Sequence, residues 1–242
     1  MVRVEWRDRV VVVTIDRPER RNAVDLASLE ALADAEAAAR DGDARVLVLT
    51  GAAPAFCSGA DLTGVDSGVF VDALVRALRG FTALPFVTMA AVDGPALGAG
   101  TQLAIACDVR VATPTSEFGI PAAKLGLAVD RWTIDRASQE LGPSIARSML
   151  LTAQTYTAER LHHSGGVHRL GGLDDALAWA DQIARLAPIT IAAHKTALET
   201  PVPSSGDDEV FETLRAGAWA SDDAEEGRQA FLEKRRPTFR GR

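Results

Sequence analysis

The chain has 242 residues, 47% of them hydrophobic and 24% charged. That is too apolar for a disordered chain and long enough to hold a core without disulfides or metal. Its 26 Lys and Arg against 33 Asp and Glu leave a net charge of −7, which argues against nucleic acid as a general partner. Two cysteines, Cys57 and Cys107, cannot make a disulfide scaffold, so a cytoplasmic protein with reduced thiols is expected. The first residues carry charges throughout and lack an apolar signal core. The sparsely charged run from Arg79 to Asp108 is cut by Asp93-Gly94-Pro95, so no membrane span is expected.

In chain order, Val10 to Asp16 is a β-branched strand stopped by Pro18. Asp25 is placed to cap a helix running to about Arg40, with Leu26, Leu29, Leu32 and Ala33 at helical spacing. Arg45 to Thr50 is a short apolar strand of the fully buried kind. A small-residue loop spans Gly51 to Asp61, and helical spacing returns at Val69 to Leu78. Phe86 to Val92 is a strand, Leu97 to Cys107 a Gly/Ala-rich helix, and Val109 to Ala112 a strand. Strands alternating with helices predict a parallel sheet with crossover helices, an α/β core over residues 1–143. Residues 144–242 read as an all-helical C-terminal region of the same structural unit. Its segments are Ile145–Thr152, Thr157–His163, Leu173–Leu186, Ile189–Glu199, Asp208–Trp219 and Asp222–Lys234, with a loop over Pro201 to Asp208.

Two glycine-rich turns each follow a buried strand and open a helix: Phe56 to Leu62 and Gly94 to Gly100. Two readings stand. Small residues allow close helix–sheet packing, and free N–H groups at a helix start can aim at an anion or a polarised oxygen. Two such N–H groups on one carbonyl form an oxyanion hole.

With these turns in place the sequence resembles the enoyl-CoA hydratase/isomerase (crotonase) family. The resemblance is carried by Asn22-Ala23 after a strand, F-C-S-G-A-D-L from Phe56, D-G-P-A-L-G-A-G from Asp93, C-D-V-R-V-A from Cys107 and F-G-I-P from Phe118. Downstream it continues through Ala158-Glu159-Arg160, Gly165-Gly166-Val167, Pro188 with Lys195, and E-G-x-x-A-F-L-E-K-R-x-P-x-F from Glu226 to Phe239. The resemblance implies a ββα spiral core, a trimerising helical region and an acyl-CoA ligand held in an oxyanion hole. It implies no metal, and no cofactor beyond the coenzyme A of the ligand. By motif, the two donors fall on Ala60 and Ala99. Ala99 stands where the family usually has glycine. Ala23, Ala60, Asp61 and Leu62 fall at the CoA contacts, with Arg21 placed either for the CoA phosphates or as a solvated charge. Phe231 and Lys234 fall on a last helix that reaches the CoA site of its own or a neighbouring subunit.

The departures from the family pattern bear on chemistry. Hydratases of this family use two glutamates, and Gln102 and Ala122 hold those positions here. Hydration needs a base for water and an acid for the α-carbon. A Gln amide does not titrate near neutrality, and Ala has no polar group. Asp130, between Val129 and Trp132, is an ionisable group that remains in a suggestive place. It is either an acid, base or nucleophile on the acyl group, or a pocket-shaping residue paired with Arg131, Arg136 or a backbone N–H. Val129 and Trp132 are expected along the acyl pocket. His162, His163, His168 and His194 lack metal-ligand spacing and are expected at the surface or in packing. Lys124, Glu117 and Asp135 are expected to be structural. The apolar spacing of Leu173, Ala176, Leu177, Ala180, Ile183 and Ala184 is expected to serve oligomerisation into a trimer or hexamer.

Overall fold

The protein is described from a computed structural model, which covers residues 1–61, 63, 67–200 and 209–242. The expected loop over 201–208 lies outside the described residues. The chain opens with a hairpin, β1 (Val2–Arg7) and β2 (Val10–Ile15), paired antiparallel. Then follow α1 (Leu26–Asp41), β3 (Val46–Gly51), α2 (Ser67–Ala83), β4 (Val87–Val92), β5 (Ala96–Leu97), α3 (Ala99–Ala106), β6 (Val109–Ala112) and β7 (Glu117–Gly119). A 3-10 turn at Pro121–Leu125 leads into α4 (Arg131–Leu141), α5 (Pro143–Thr152), β8 (Tyr156–Thr157), α6 (Ala158–His163) and β9 (Arg169–Leu170). The last helices are α7 (Leu173–Ile183), α8 (Pro188–Glu199), α9 (Glu209–Ala220) and α10 (Asp222–Glu233).

The main sheet has six strands in the order β1-β2-β3-β4-β6-β9, and every pairing after the first hairpin is parallel. Its central strands are buried on both faces, which explains their unbroken apolar runs. Val11, Val13, Ile15, Leu47, Leu49 and Ala90 join the large core under α1, α2 and α3. Val10, Val12, Val46, Val48, Met89 and Ala91 join a second core on the opposite face. Three short strands, β5, β7 and β8, form a second sheet.

Four differences from the sequence reading have physical causes. β1 is a strand the sequence reading missed, because Arg3, Glu5 and Arg7 interrupt its apolar pattern; it is the edge strand, where charge is tolerated. Among the described residues, the region beyond 144 adds to its helices two two-residue strands, β8 and β9, which join the sheets of the core. α4 was also missed, because polar Thr133 and Arg136 are on its buried face. The fourth correction concerns the apolar face of α7. Ala176, Ala180 and Ile183 are buried within the chain, and Leu177 and Ala184 pack on the same second core. Apart from Leu173, which stays exposed, that face covers the sheet and is not left over for a partner.

Buried ionic staples fix the helical layers. Lys195 Nζ on α8 donates to Asp108 at 2.8 Å and to the carbonyls of Phe81 and Phe86 at 3.1 and 3.0 Å. Arg110, fully buried, donates to the carbonyls of Gly166 and Cys107 at 2.7 and 2.9 Å and pairs with Glu140. Gly100 is forced by contact: a Cβ there would lie 2.1 Å from the Cys57 carbonyl oxygen. Gly100→Ala is expected to lower stability by about 3 kcal/mol or more. Gly217→Ala, on exposed α9 with nothing within 4 Å of the added carbon, is expected to raise it by about 0.5–1 kcal/mol. Thermal unfolding of both variants beside the parent checks the contrast.

Candidate active site

The two glycine-rich turns meet at the ends of β3 and β4. They are laced together by Cys57 N–H on the Pro95 carbonyl at 3.0 Å and Leu97 N–H on the Cys57 carbonyl at 2.9 Å. Val24 adds a third strand-like segment: its N–H meets the Gly59 carbonyl at 2.9 Å, and its own carbonyl accepts from Asp61 N–H at 2.8 Å. Gly59 and Gly98 adopt positive φ of 124° and 54°, conformations that favour glycine. They face each other so closely that a Cβ on Gly98 would lie 3.7 Å from the Gly59 Cα. The residue after each glycine is Ala60 in one turn and Ala99 in the other. In the parallel bridge between Val24 and Ala60, Val24 bonds to residues 59 and 61, so the Ala60 N–H points away from it. Ala99 is the first residue of α3, where N–H groups have no helical partner. Among the described residues, neither N–H donates a hydrogen bond. Gly100 is needed for packing, and among the described residues two N–H groups at the facing turns are left open.

The loop after β2 walls this region. Asn22, fully buried at φ 58°, donates to the carbonyls of Ala52 and Ala55 at 2.6 Å and accepts from Arg17 N–H at 2.8 Å. Arg17, which the sequence reading did not single out, donates to the Ala23 carbonyl and pairs with Asp25 at 2.9 Å and Asp61 at 3.3 Å. Hydrogen bonds from Thr63, and then Arg17, hold the Asp61 carboxyl below the usual range. Arg21 is exposed at φ 48°, with no ion pair among the described residues, and its carbonyl accepts from Ser58 N–H at 3.0 Å. Leu62 lies outside the described residues.

On α3, Gln102 is 5% exposed. Its Nε2 donates to Thr133 Oγ1 at 2.8 Å, and that hydroxyl donates to Asp130 Oδ2 at 2.7 Å. Asp130 Oδ1 accepts the Thr133 N–H at 3.2 Å, so Asp130 is the N-cap of α4. It pairs with neither Arg131, which bonds Asp135, nor Arg136, which bonds the Ile105 carbonyl and Glu199. Thr133 is the site residue that the sequence reading missed; three residues after an N-cap Asp, its backbone was legible, its hydroxyl contact was not.

Ala122 lies half-buried in the 3-10 turn and, with Val129, lines a hollow of about 440 Å³ walled by Leu127, Ile134, Ala146 and Leu150. Trp132, expected along the acyl pocket, packs against the main core and does not line this hollow. Phe231 and Lys234 lie at the exposed end of α10, and α10 packs on α9. Among the described residues, no hydrogen bond or ion pair ties the Lys234 ammonium to the two turns. Cys57 and Cys107 are buried, and burial pushes their thiols up to about 11 and about 12. His168 Nδ1 accepts from Arg110 N–H at 3.2 Å, and burial, then Arg110, pushes its imidazole down to about 4. His162 and His163 bond backbone carbonyls. Among the described residues, no group of His, Cys, Asp or Glu is placed to hold a metal, and no helix is long and apolar enough to cross a membrane.

The family model for enoyl-CoA hydratase/isomerase matches residues 5–242. The chain belongs to this family. It is 42% identical over its whole length to "Probable enoyl-CoA hydratase echA6" of Mycobacterium tuberculosis, all of which is covered. It is 35% identical to the 2,3-dehydroadipyl-CoA hydratase of Escherichia coli, over 99% of this chain and 98% of that one. Among solved structures, enoyl-CoA hydratase EchA1 from Mycobacterium marinum aligns with a TM-score of 0.84 at 36% identity, over 100% of this chain and 99% of that one. An enoyl-CoA hydratase/isomerase family protein from Hyphomonas neptunium aligns with a TM-score of 0.92 at 27% identity, over 100% and 98%. The fold is the crotonase fold expected from the motifs.

Proposed function

We propose that this family member binds an acyl-CoA thioester, holds its carbonyl oxygen on the Ala60 and Ala99 N–H groups, and has little or no hydratase activity. The observation that carries this reading is the pairing of two open backbone donors with an amide at Gln102 and a methyl group at Ala122. The donors can polarise a carbonyl, but the side chains at 102 and 122 cannot move protons between water and carbon as two glutamates would. The alternative, an isomerase-type enzyme using Asp130 as acid or base, requires that carboxylate to leave the cap of α4. In the structure both of its oxygens are engaged by Thr133, which favours binding over turnover.

The ligand is held against the net charge of the chain, so its phosphates need local cations. Arg21 supplies one at the mouth of the turns. Lys234 supplies another from the last helix of its own or a neighbouring copy, with Phe231 beside it as an apolar contact. Exposed ion contacts are screened over about 10 Å at 0.1 M salt, whereas buried N–H contacts and apolar burial are not. Calorimetry at two salt concentrations tests this. Free CoA is expected to weaken strongly with salt, and a long-chain acyl-CoA to keep more of its affinity, at about 0.8 kcal/mol per fully buried CH₂. Failure of any acyl-CoA to bind at millimolar levels refutes the reading.

Assembly follows from α8 to α10 rather than from α7. Leu198, Val210, Trp219, Phe231 and Leu232 are all more than 60% exposed there, a set of large apolar groups on one helical region that favours association. A trimer or hexamer is expected by light scattering at micromolar concentration; a monodisperse monomer refutes it. Trp219→Asp with Phe231→Asp is expected to shift the assembly toward monomer.

A further inference from the structure

We propose that Asp130, acting through Thr133, fixes the Gln102 carboxamide so that it offers the bound acyl group a hydrogen-bond acceptor. The site thereby selects a thioester bearing a hydroxyl next to its carbonyl region over one bearing an oxo group there. This rests on the acyl-CoA reading above and adds to it the identity of the acyl group.

The argument follows one proton. A Thr hydroxyl has a single proton to donate and lone pairs to accept. In the structure that proton goes to Asp130 Oδ2, at 2.7 Å. The face that Thr133 Oγ1 turns to Gln102 is therefore acceptor only, and the amide atom meeting it at 2.8 Å must be the donor, Nε2. The orientation of the carboxamide, which geometry alone leaves ambiguous, is set by the carboxylate two contacts away. Gln102 Oε1 is turned away from Thr133 and accepts no hydrogen bond from the described residues. Among those residues, the buried side-chain polar atoms left without a partner are Glu36 Oε1 and Arg45 Nη1. Gln102 Oε1 is not one of them, so it is not sealed in the core without a partner.

The Gln102 side chain leans toward the proposed carbonyl site. A helical side chain leans toward the N-terminus of its helix and covers the turn before it. Gln102 is three residues after Ala99 on α3, so its side chain covers the turn that presents the Ala99 N–H. An acyl group whose carbonyl oxygen rests on that N–H places its neighbouring carbons under Gln102. A hydroxyl on those carbons donates to Oε1. An oxo group faces it acceptor to acceptor and is disfavoured, and a plain methylene gains nothing. Asp130 and Thr133 touch no ligand in this scheme; they are positioning residues, and Gln102 makes the contact.

The test is calorimetric binding of butyryl-CoA, 3-hydroxybutyryl-CoA and acetoacetyl-CoA to the full chain and three variants. For the parent protein, 3-hydroxybutyryl-CoA is expected to bind roughly 5- to 10-fold more tightly than acetoacetyl-CoA, the worth of one neutral hydrogen bond. Asp130→Asn keeps a good N-cap but presents an N–H to Thr133, which releases the hydroxyl proton toward Gln102. The amide then turns its Nε2 to the pocket, and the preference is expected to reverse toward acetoacetyl-CoA. Thr133→Val and Gln102→Leu are expected to erase the preference. A merely structural role for Asp130 would weaken all three ligands alike. If the parent binds all three equally, the selection is overturned while the acyl-CoA reading stands. If the preference exists but survives both Asp130→Asn and Thr133→Val, the positioning role is overturned. If no thioester binds at millimolar concentration, the acyl-CoA reading falls and takes this inference with it.

Discussion

Hydration of crotonyl-CoA by this protein is expected to run several orders of magnitude below that of a two-glutamate relative. Each lost acid or base group costs about 10² to 10⁴ in rate, and both positions are altered. Gln102 is buried and directs an N–H at Thr133, and Ala122 lines an apolar hollow. Restoring both carboxylates, Gln102→Glu with Ala122→Glu, is expected to give partial rescue at best. A glutamate at 102 would face Thr133 Oγ1 with an acceptor while that hydroxyl is already committed to Asp130. Either Thr133 turns away from the cap of α4 or the new carboxylate is pushed from its place. A glutamate at 122 would enter a wall shared with Val129, Leu127 and Ala146 and would have to reach open water to ionise. The triple variant that adds Thr133→Ala is expected to recover more activity than the double. Steady-state hydration by the parent at an ordinary hydratase rate overturns the functional reading outright.

What could be read in the sequence and what could not divides along the range of the interactions. The crossovers were legible because their signals are local: Asp25 ahead of Leu26, Leu29 and Leu32 yields α1 with Asp25 accepting from Ser28 N–H at 2.8 Å. The valine run of β2 and the apolar β3 were legible for the same reason, since both faces of these strands are buried. The two turns were found by their glycines, but which glycine serves packing and which frees an N–H depends on contacts between residues 57 and 100 or 59 and 98. α4 was missed because its inward face carries Thr133 and Arg136, whose partners Gln102, Ile105 and Glu199 are far away in the chain. The apolar face of α7 was legible but its partner was not: periodicity says that a face is buried, and only the fold says that the cover is β3, β4 and β6 of the same chain. Asp130 shows both sides of that limit: of the partners the sequence offered, Arg131 and Arg136 are committed elsewhere, and the backbone N–H, that of Thr133, is the one it takes.

The stability of the protein is expected to fall as pH rises from about 5 to about 8 through one residue remote from the site, Glu36. It is on the inner face of α1, 4% exposed, and its Oε1 has no hydrogen-bond partner. Its carboxyl lies against α2 where Gly80 makes room; a Cβ on Gly80 would lie 1.7 Å from Glu36 Oε2. Burial raises its pKa from 4.5 to about 8, and Arg40, one turn on, opposes this only in part. The folded chain therefore holds this proton more tightly than the unfolded chain. Stability from this group is fully present below about 4.5 and is lost as pH rises through about 8. The slope inside that window is about 1.4 kcal/mol per pH unit, and it vanishes above. Glu36→Gln keeps the shape of the protonated acid and cannot ionise. Urea unfolding of parent and variant between pH 5 and 9 is expected to show the variant gaining on the parent as pH rises, by a few kcal/mol from pH 5 to pH 9. The amide adds donors that find no partner, a cost of about 1–3 kcal/mol, so the variant starts lower at pH 5 and the two curves cross. A difference that stays constant with pH would show that Glu36 is ionised throughout, with water or Arg40 reaching it between the two helices.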